Sequence, residues 1–378
     1  LIRIPLAVPA TANYRVVSVY NQYGCNATDT ISQYRRPLPT TNLNFLSAVM
    51  FDGRESTPAT GTTKIQYANY PSSLMSDLAH QALDATVIHA EGDGTRPTPE
   101  EQQEIVNFET QLYTAQTADF RAGSLTRDGA SGGPLALSKQ PFFISINSSV
   151  HFLVSTLELP GGLVTAGDGQ FTPDIFGLYG SWAGKPERWE RFDPREAARQ
   201  SIARGEALFN SLAIPISGVA GINDDVAAGG LVAGGIPTLT GTCGTCHDTP
   251  SVGDHSFPTP LNIGTGDPSP TNHRQNLGGL DVSYLPEITV CKIDATSGAT
   301  TNDCKTTTDL GQALVDGNYD HVGKIKGPIL RGLAARAPYF HNGSAATLLD
   351  AVNFYNTRFN LDLTEQQKND LVAFLKTL

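Results

Sequence analysis

The segment Cys243-Gly244-Thr245-Cys246-His247 holds the residues whose types and spacing carry chemistry most directly. Two thiols separated by two residues and followed at once by an imidazole are what covalent attachment of a c-type haem requires. Each thiol can add to one haem vinyl group, and the histidine can become the proximal iron ligand. With 5 Cys and 8 His in 378 residues, chance would supply about 0.001 such matches. The competing chemistries are half of a zinc site and a redox dithiol. No second Cys pair follows at zinc spacing, and a thioredoxin-type dithiol is expected to close a strand rather than enter a helix. The motif therefore reads as haem attachment.

That reading places the chain on the exported side of a bacterial membrane, periplasmic or extracellular, where covalent haem attachment occurs and disulfides persist. Cys291 and Cys304 flank the polar, turn-rich stretch 292–303 and read as a disulfide closing a small loop. Cys25 is left as a buried free thiol or as the partner of chain upstream of Leu1. A start without Met or a charged-then-apolar leader fits a removed signal peptide or a longer upstream region. The net charge of -11 argues against nucleic acid and suits solubility or the docking of a basic redox partner. No run of 18 apolar residues occurs, so no membrane span is expected.

The elements that must position the motif show a faint repeat. Leu43–Arg54 is similar to Leu330–Gly343, and each copy precedes a capped amphipathic helix. Thr98-Pro99-Glu100-Glu101 opens the first, with Ile105, Phe108 and Leu112 as its apolar stripe. Thr364–Gln367 is a capping box opening the second, with Leu371, Phe374, Leu375 and Leu378 as its stripe. Between them, residues 120–190 are rich in Gly and Pro, with short β-type runs at Phe142–Ile146 and His151–Val154. A further helix is expected over Ala197–Asn210, followed by a Gly-rich surface loop at Gly218–Gly235. The expected fold is mainly α: two tandem cytochrome c-like helical domains joined by a segment with short β-hairpins. The domains run 1–120 (no haem motif) and 194–378 (one covalent haem), with the connection at 121–193.

These residues resemble the bacterial di-haem cytochrome c peroxidase/MauG superfamily. Arg204–Phe209, the haem motif, Lys326–Leu333, Ala337–Gly343 and Ala351–Asn356 follow that family's order, and Arg35-Arg36-Pro37 with Phe51-Asp52-Gly53-Arg54 is similar to its inter-haem segment. The resemblance implies further roles. Tyr355 lies fourteen residues after His341, where family members carry a Met or Tyr iron ligand, and both methionines, Met50 and Met75, lie in the other module. A His247/Tyr355 pair would favour ferric iron and a lower potential than His/Met ligation. His341 is implied beside a haem propionate. His255 and His273 are the other histidines that could reach the iron, while His321 is read as non-functional. Gln81 and Glu91 keep the spacing of the family's distal acid–base pair, in which the glutamate moves protons during O–O cleavage. A calcium site near Ala335–Pro338, built partly from carbonyls, is also implied, though carbonyl ligands leave no sequence signature.

The first module departs from the family because it contains no second Cys-x-x-Cys-His. Either its haem is lost or the motif lies upstream of Leu1. Three functions remain open from the sequence. One is electron transfer through a single haem to a cytochrome- or cupredoxin-type partner. Another is an oxidoreductase that uses peroxide, with a second haem supplied upstream. The third is a haem-bearing structural or docking subunit, in an oligomer or larger redox complex.

Overall fold

Period-two alternation, not helical periodicity, governs the first residues of the chain. The computed structural model describes residues 1–56, 72–89, 95–140, 174–184, 193–228, 230–255 and 260–378. Strands β1 (Ile2–Ala7), β2 (Tyr14–Tyr20) and β3 (Thr30–Arg35) come first. Helices α1 (Ser72–Asp84) and α2 (Pro99–Glu109) follow, then β4 (Ala118–Asp119), β5 (Gly123–Ser124) and the single turn α3 (Pro134–Leu137). The later part contains α4 (Pro194–Ser211), β6 (Ile214–Ser217), β7 (Thr238–Gly241), β8 (Pro268–Ser269) and β9 (Asn272–Asn276). It ends with β10 (Glu287–Ile293), β11 (Thr300–Thr307), α5 (Ala313–Asp316), α6 (Leu348–Phe359) and α7 (Glu365–Leu375).

The mainly α expectation is thus overturned. Among the described residues eleven strands form five small antiparallel sheets, and two of the seven α-helices are single turns. In β2, Tyr14 and Val16 face a core with Ile288 and Val290 of β10, while Arg15 and Val17 are exposed. β10 is the centre of a three-stranded sheet, with β2 on one side and β11 on the other. The stretch expected as a polar loop covers the end of β10, the turn and the first half of β11. Its Thr-rich residues suit a half-exposed pleat. Cys291 and Cys304 face each other across β10 and β11 and form a disulfide. Cys25 is a half-buried free thiol between β2 and β3. Because β2 joins β10, the N-terminal strands are built into the part that carries the haem motif, across the expected boundaries at 120 and 194.

The helix starts agree with their sequence signals. Thr98 and Glu101 form a reciprocal capping box at α2, and Thr364 and Gln367 form another at α7. The stripes fare differently. Leu371, Phe374 and Leu378 are buried at and just beyond α7, but Phe108 of α2 is 68% exposed and Ile105 37%, with Val106 the residue that enters the core. The apolar face of α2 is therefore rotated from the expected one. Gly218–Gly235 is not merely surface loop, since Val219, Ile222 and Leu231 are buried against β6 and β7. The runs at Phe142–Ile146 and His151–Val154 lie outside the described residues.

Helices α4 and α7 cross closely, and Gly205 sets their distance. A Cβ there would stand 2.0 Å from the Asp370 carbonyl oxygen and 2.7 Å from the Phe374 Cβ. Asp370 accepts from Arg204 Nε at 2.8 Å and Ser201 Oγ at 2.5 Å, so the crossing is also pinned by charge. Gly205→Ala should lower the unfolding free energy of the protein by about 1–3 kcal/mol, read as a lower denaturant midpoint.

Candidate cofactor site

β7 ends at Gly241, and the chain turns at once through a short 3-10 segment, Cys243–Thr245, capped by Thr242 and Thr245. The motif follows a strand directly, so its neighbouring element does not separate haem attachment from a redox dithiol. The environment does. Burial pushes the Cys243 and Cys246 thiols up to about 12, with Asp248 adding to the effect on Cys246. A reactive dithiol needs the opposite shift. Both cysteines are free thiols and both line one apolar cavity.

His247 lines the same cavity. Its Nδ1 donates to the Gly253 carbonyl at 2.8 Å, which leaves the Nε2 lone pair as the coordinating atom. Burial holds the imidazole down at about 4, so it is neutral and competent as a ligand. The carbonyl is placed by a glycine at φ +72°, where a Cβ would also meet Phe176 and Leu330 within 3 Å. Tyr355 reaches the cavity from α6, with Phe340, Phe354 and Phe359 around its ring. Burial, then the nearby thiols, raise its phenol above the ordinary value, so deprotonation would have to come from a metal.

His341 is the third expected residue on the cavity wall. It is 4% exposed, and its Nε2 has no hydrogen-bond partner, lying 3.7 Å from Asp309. Behind it sits a buried ion cluster. Arg35 makes a bidentate pair with Asp309 at 2.6 and 2.7 Å and reaches Asp52 at 2.5 Å. Burial alone would raise both carboxyls, but the Arg35 guanidinium outweighs it and holds each below the usual carboxylate range. The two first-module motifs, Arg35–Pro37 and Phe51–Arg54, are thereby joined to each other and to the cavity, which Arg36, Pro37 and Phe51 line.

The cavity lies between two apolar cores, with Phe209, Leu348 and Leu371 on one side and Ile214, Leu261 and Phe359 on the other. Three cations interrupt it: Arg36, Lys326 and Arg336. Burial lowers all three, Lys326 to about 8 and Arg336 to about 10. Paired thiols, a neutral imidazole, apolar walls and cations for carboxylate groups suit a covalently held haem. All three cations lie inside motifs named from the sequence, but nothing in the linear order gathers them at one site. Arg36 also donates to the carbonyl of Arg336, so that carbonyl of the segment implied for calcium is already engaged by a cation of the chain.

The remaining expected residues lie elsewhere. His255 is buried beside Asp248, 3.6 Å away, and His273 is exposed on β9 next to Glu287; neither lines the cavity. His321 bonds Asp316 at 2.6 Å. Gln81 is half-buried on α1, away from the cavity lining, and Glu91 lies outside the described residues.

Arg35→Met should destabilise the protein by about 3–5 kcal/mol in denaturant unfolding, because Asp52 and Asp309 would stay buried without their common partner. The sign with pH follows from carboxyls held below their unfolded value. The cluster's contribution is fully present above about pH 4 and is lost as the pH falls through the lowered values, so the variant's deficit should shrink in acid.

No family profile matches the chain. Parts of it are similar to curated cytochrome-c peroxidases. IdrP1 of Denitromonas iodatirespirans is 38% identical over 81 residues, 18% of this chain and 22% of that protein. IdrP2 of Pseudomonas sp. strain SCT is 38% identical over 103 residues, 25% of this chain and 27% of that protein. Cytochrome c551 peroxidase of Nitrosomonas europaea is 39% identical over 69 residues, 18% and 21% respectively. The chain thus matches between about a fifth and about a quarter of the length of these relatives. Over that length it is a distant, partial homologue of cytochrome-c peroxidases.

Proposed function

We propose that this chain is an exported c-type haem protein that transfers electrons through one haem bound at Cys243 and Cys246, with His247 and Tyr355 as iron ligands. The observation that carries the reading is the convergence of these four side chains and His341 on one apolar cavity. When bound, the haem supplies a one-electron Fe(III)/Fe(II) couple. The chain's own residues do the rest. Gly253 orients the His247 imidazole, Arg36, Lys326 and Arg336 offer partners to acidic groups, and the apolar walls exclude water, which tunes the couple. His341, backed by Asp309 and Arg35, offers a ring nitrogen to a propionate. The role leans to an oxidoreductase of the cytochrome-c peroxidase type, with a redox protein as electron partner. Among the described residues no helix is long and apolar enough to cross a membrane.

A pyridine haemochrome assay with intact mass should count one covalent haem per chain, and none after Cys243→Ala with Cys246→Ala. A haem-free native protein would sink the reading. Tyr355→Phe should abolish the ferric low-spin spectrum; an unchanged spectrum removes Tyr355 from the iron. Tyr355→Met should raise the midpoint potential, because a neutral thioether no longer favours the ferric state.

A second reading, peroxide reduction, is favoured by the names of the partial relatives. It requires an open or labile iron position. Steady consumption of peroxide by the reduced protein would support it, and its absence would leave electron transfer alone.

A further inference from the structure

A second set of ligand-type side chains lies outside the cavity. Glu55, in the turn after Phe51-Asp52-Gly53-Arg54, meets His80 and Asp84 of α1, and one donor atom from each lies within 4.8 Å of the others. His80 and Asp84 are one helical turn apart, so they project from the same face. His80 Nδ1 lies 2.8 Å from Glu55 Oε2. That contact alone could be an ordinary histidine–carboxylate pair. Asp77 argues for more. It lies one turn before His80 on the same face and is only 7% exposed, yet its Oδ2 has no hydrogen-bond partner.

We propose that Glu55, His80 and Asp84 form a site for a divalent first-row transition cation. Two carboxylates, Glu55 and Asp84, meet round one imidazole and repel each other. Arg54 binds Asp52 at 3.1 Å and stands 3.9 Å from Glu55. A mixed imidazole and carboxylate donor set suits manganese, iron or zinc, whereas calcium would seek oxygen alone. The two-residue linkage through Asp52 also ties this site to Arg35. An ion there would brace α1 against the turn that lines the haem-type cavity through Phe51.

The test uses the full chain with its haem attached, so that Cys243 and Cys246 are consumed, after treatment with a chelator. Titration with Mn2+, followed by loss of the free-ion EPR signal, should show one saturable site. Zn2+ should displace the Mn2+, and Ca2+ should compete poorly. Asp84→Asn and Glu55→Gln should each weaken Mn2+ binding by about tenfold or more, with the haem spectrum unchanged. Asp84 is half-buried, so its amide variant keeps the test available if Glu55→Gln does not fold. No saturable binding, or binding that Asp84→Asn leaves unchanged, would overturn the proposal.

Discussion

The pairing of Arg35 with Asp309 and Asp52 is the constraint on which the rest of the structure depends. All three groups are almost fully buried, at 1%, 3% and 0% exposure. Removing such charges from water costs several kcal/mol each unless they meet in good geometry. That geometry exists only if β3, the Asp52 turn and the chain leaving β11 come together in one arrangement. Once they do, Arg36 and Pro37 fall on the cavity wall beside Phe51, and Asp309 stands behind His341. The ion cluster therefore joins the N-terminal strands to the side chains that could hold a cofactor.

The cavity is the counterpart of that constraint. Apolar side chains from two cores meet across it without filling it, and cations stand on its lining where an all-apolar group would have no use for them. Half-buried thiols, a neutral imidazole fixed by a backbone carbonyl, and a half-buried phenol are each costly or idle alone. Together they suit a large apolar group with two acidic arms and a metal centre. The close crossing at Gly205 holds the core on one side of the cavity, and the β6–β7 hairpin with Phe359 holds the other.

The history of individual residues shows how far linear pattern reaches. Capping boxes at Thr98 and Thr364 were legible because both partners lie within one turn of chain. The face of α2 was not, since the choice between Ile105, Phe108 and Val106 depends on what surrounds the helix. Tyr14–Tyr20 alternates plainly, but its partner strand lies some 270 residues along the chain, so the sheet is not visible locally. The 292–303 stretch looked like loop because its residues are polar; its partner strand lies alongside only after the hairpin forms. The propionate-type cations were invisible as a set because Arg36 and Lys326 are far apart in sequence.

What the sequence determined by itself was local chemistry. Two thiols and an imidazole at fixed spacing can capture a haem, and no other fold is needed to state it. Tyr355 and His341 stood out only through the resemblance of the later motifs to a known family. Tertiary structure alone decided that these groups share one cavity and that Arg35 spans to Asp309. It also brought Glu55 to the face of α1 that carries Asp77, His80 and Asp84. The physical reason is range. Covalent spacing and capping bonds act over a few residues, whereas burial, ion pairing and a shared cavity depend on where distant segments meet.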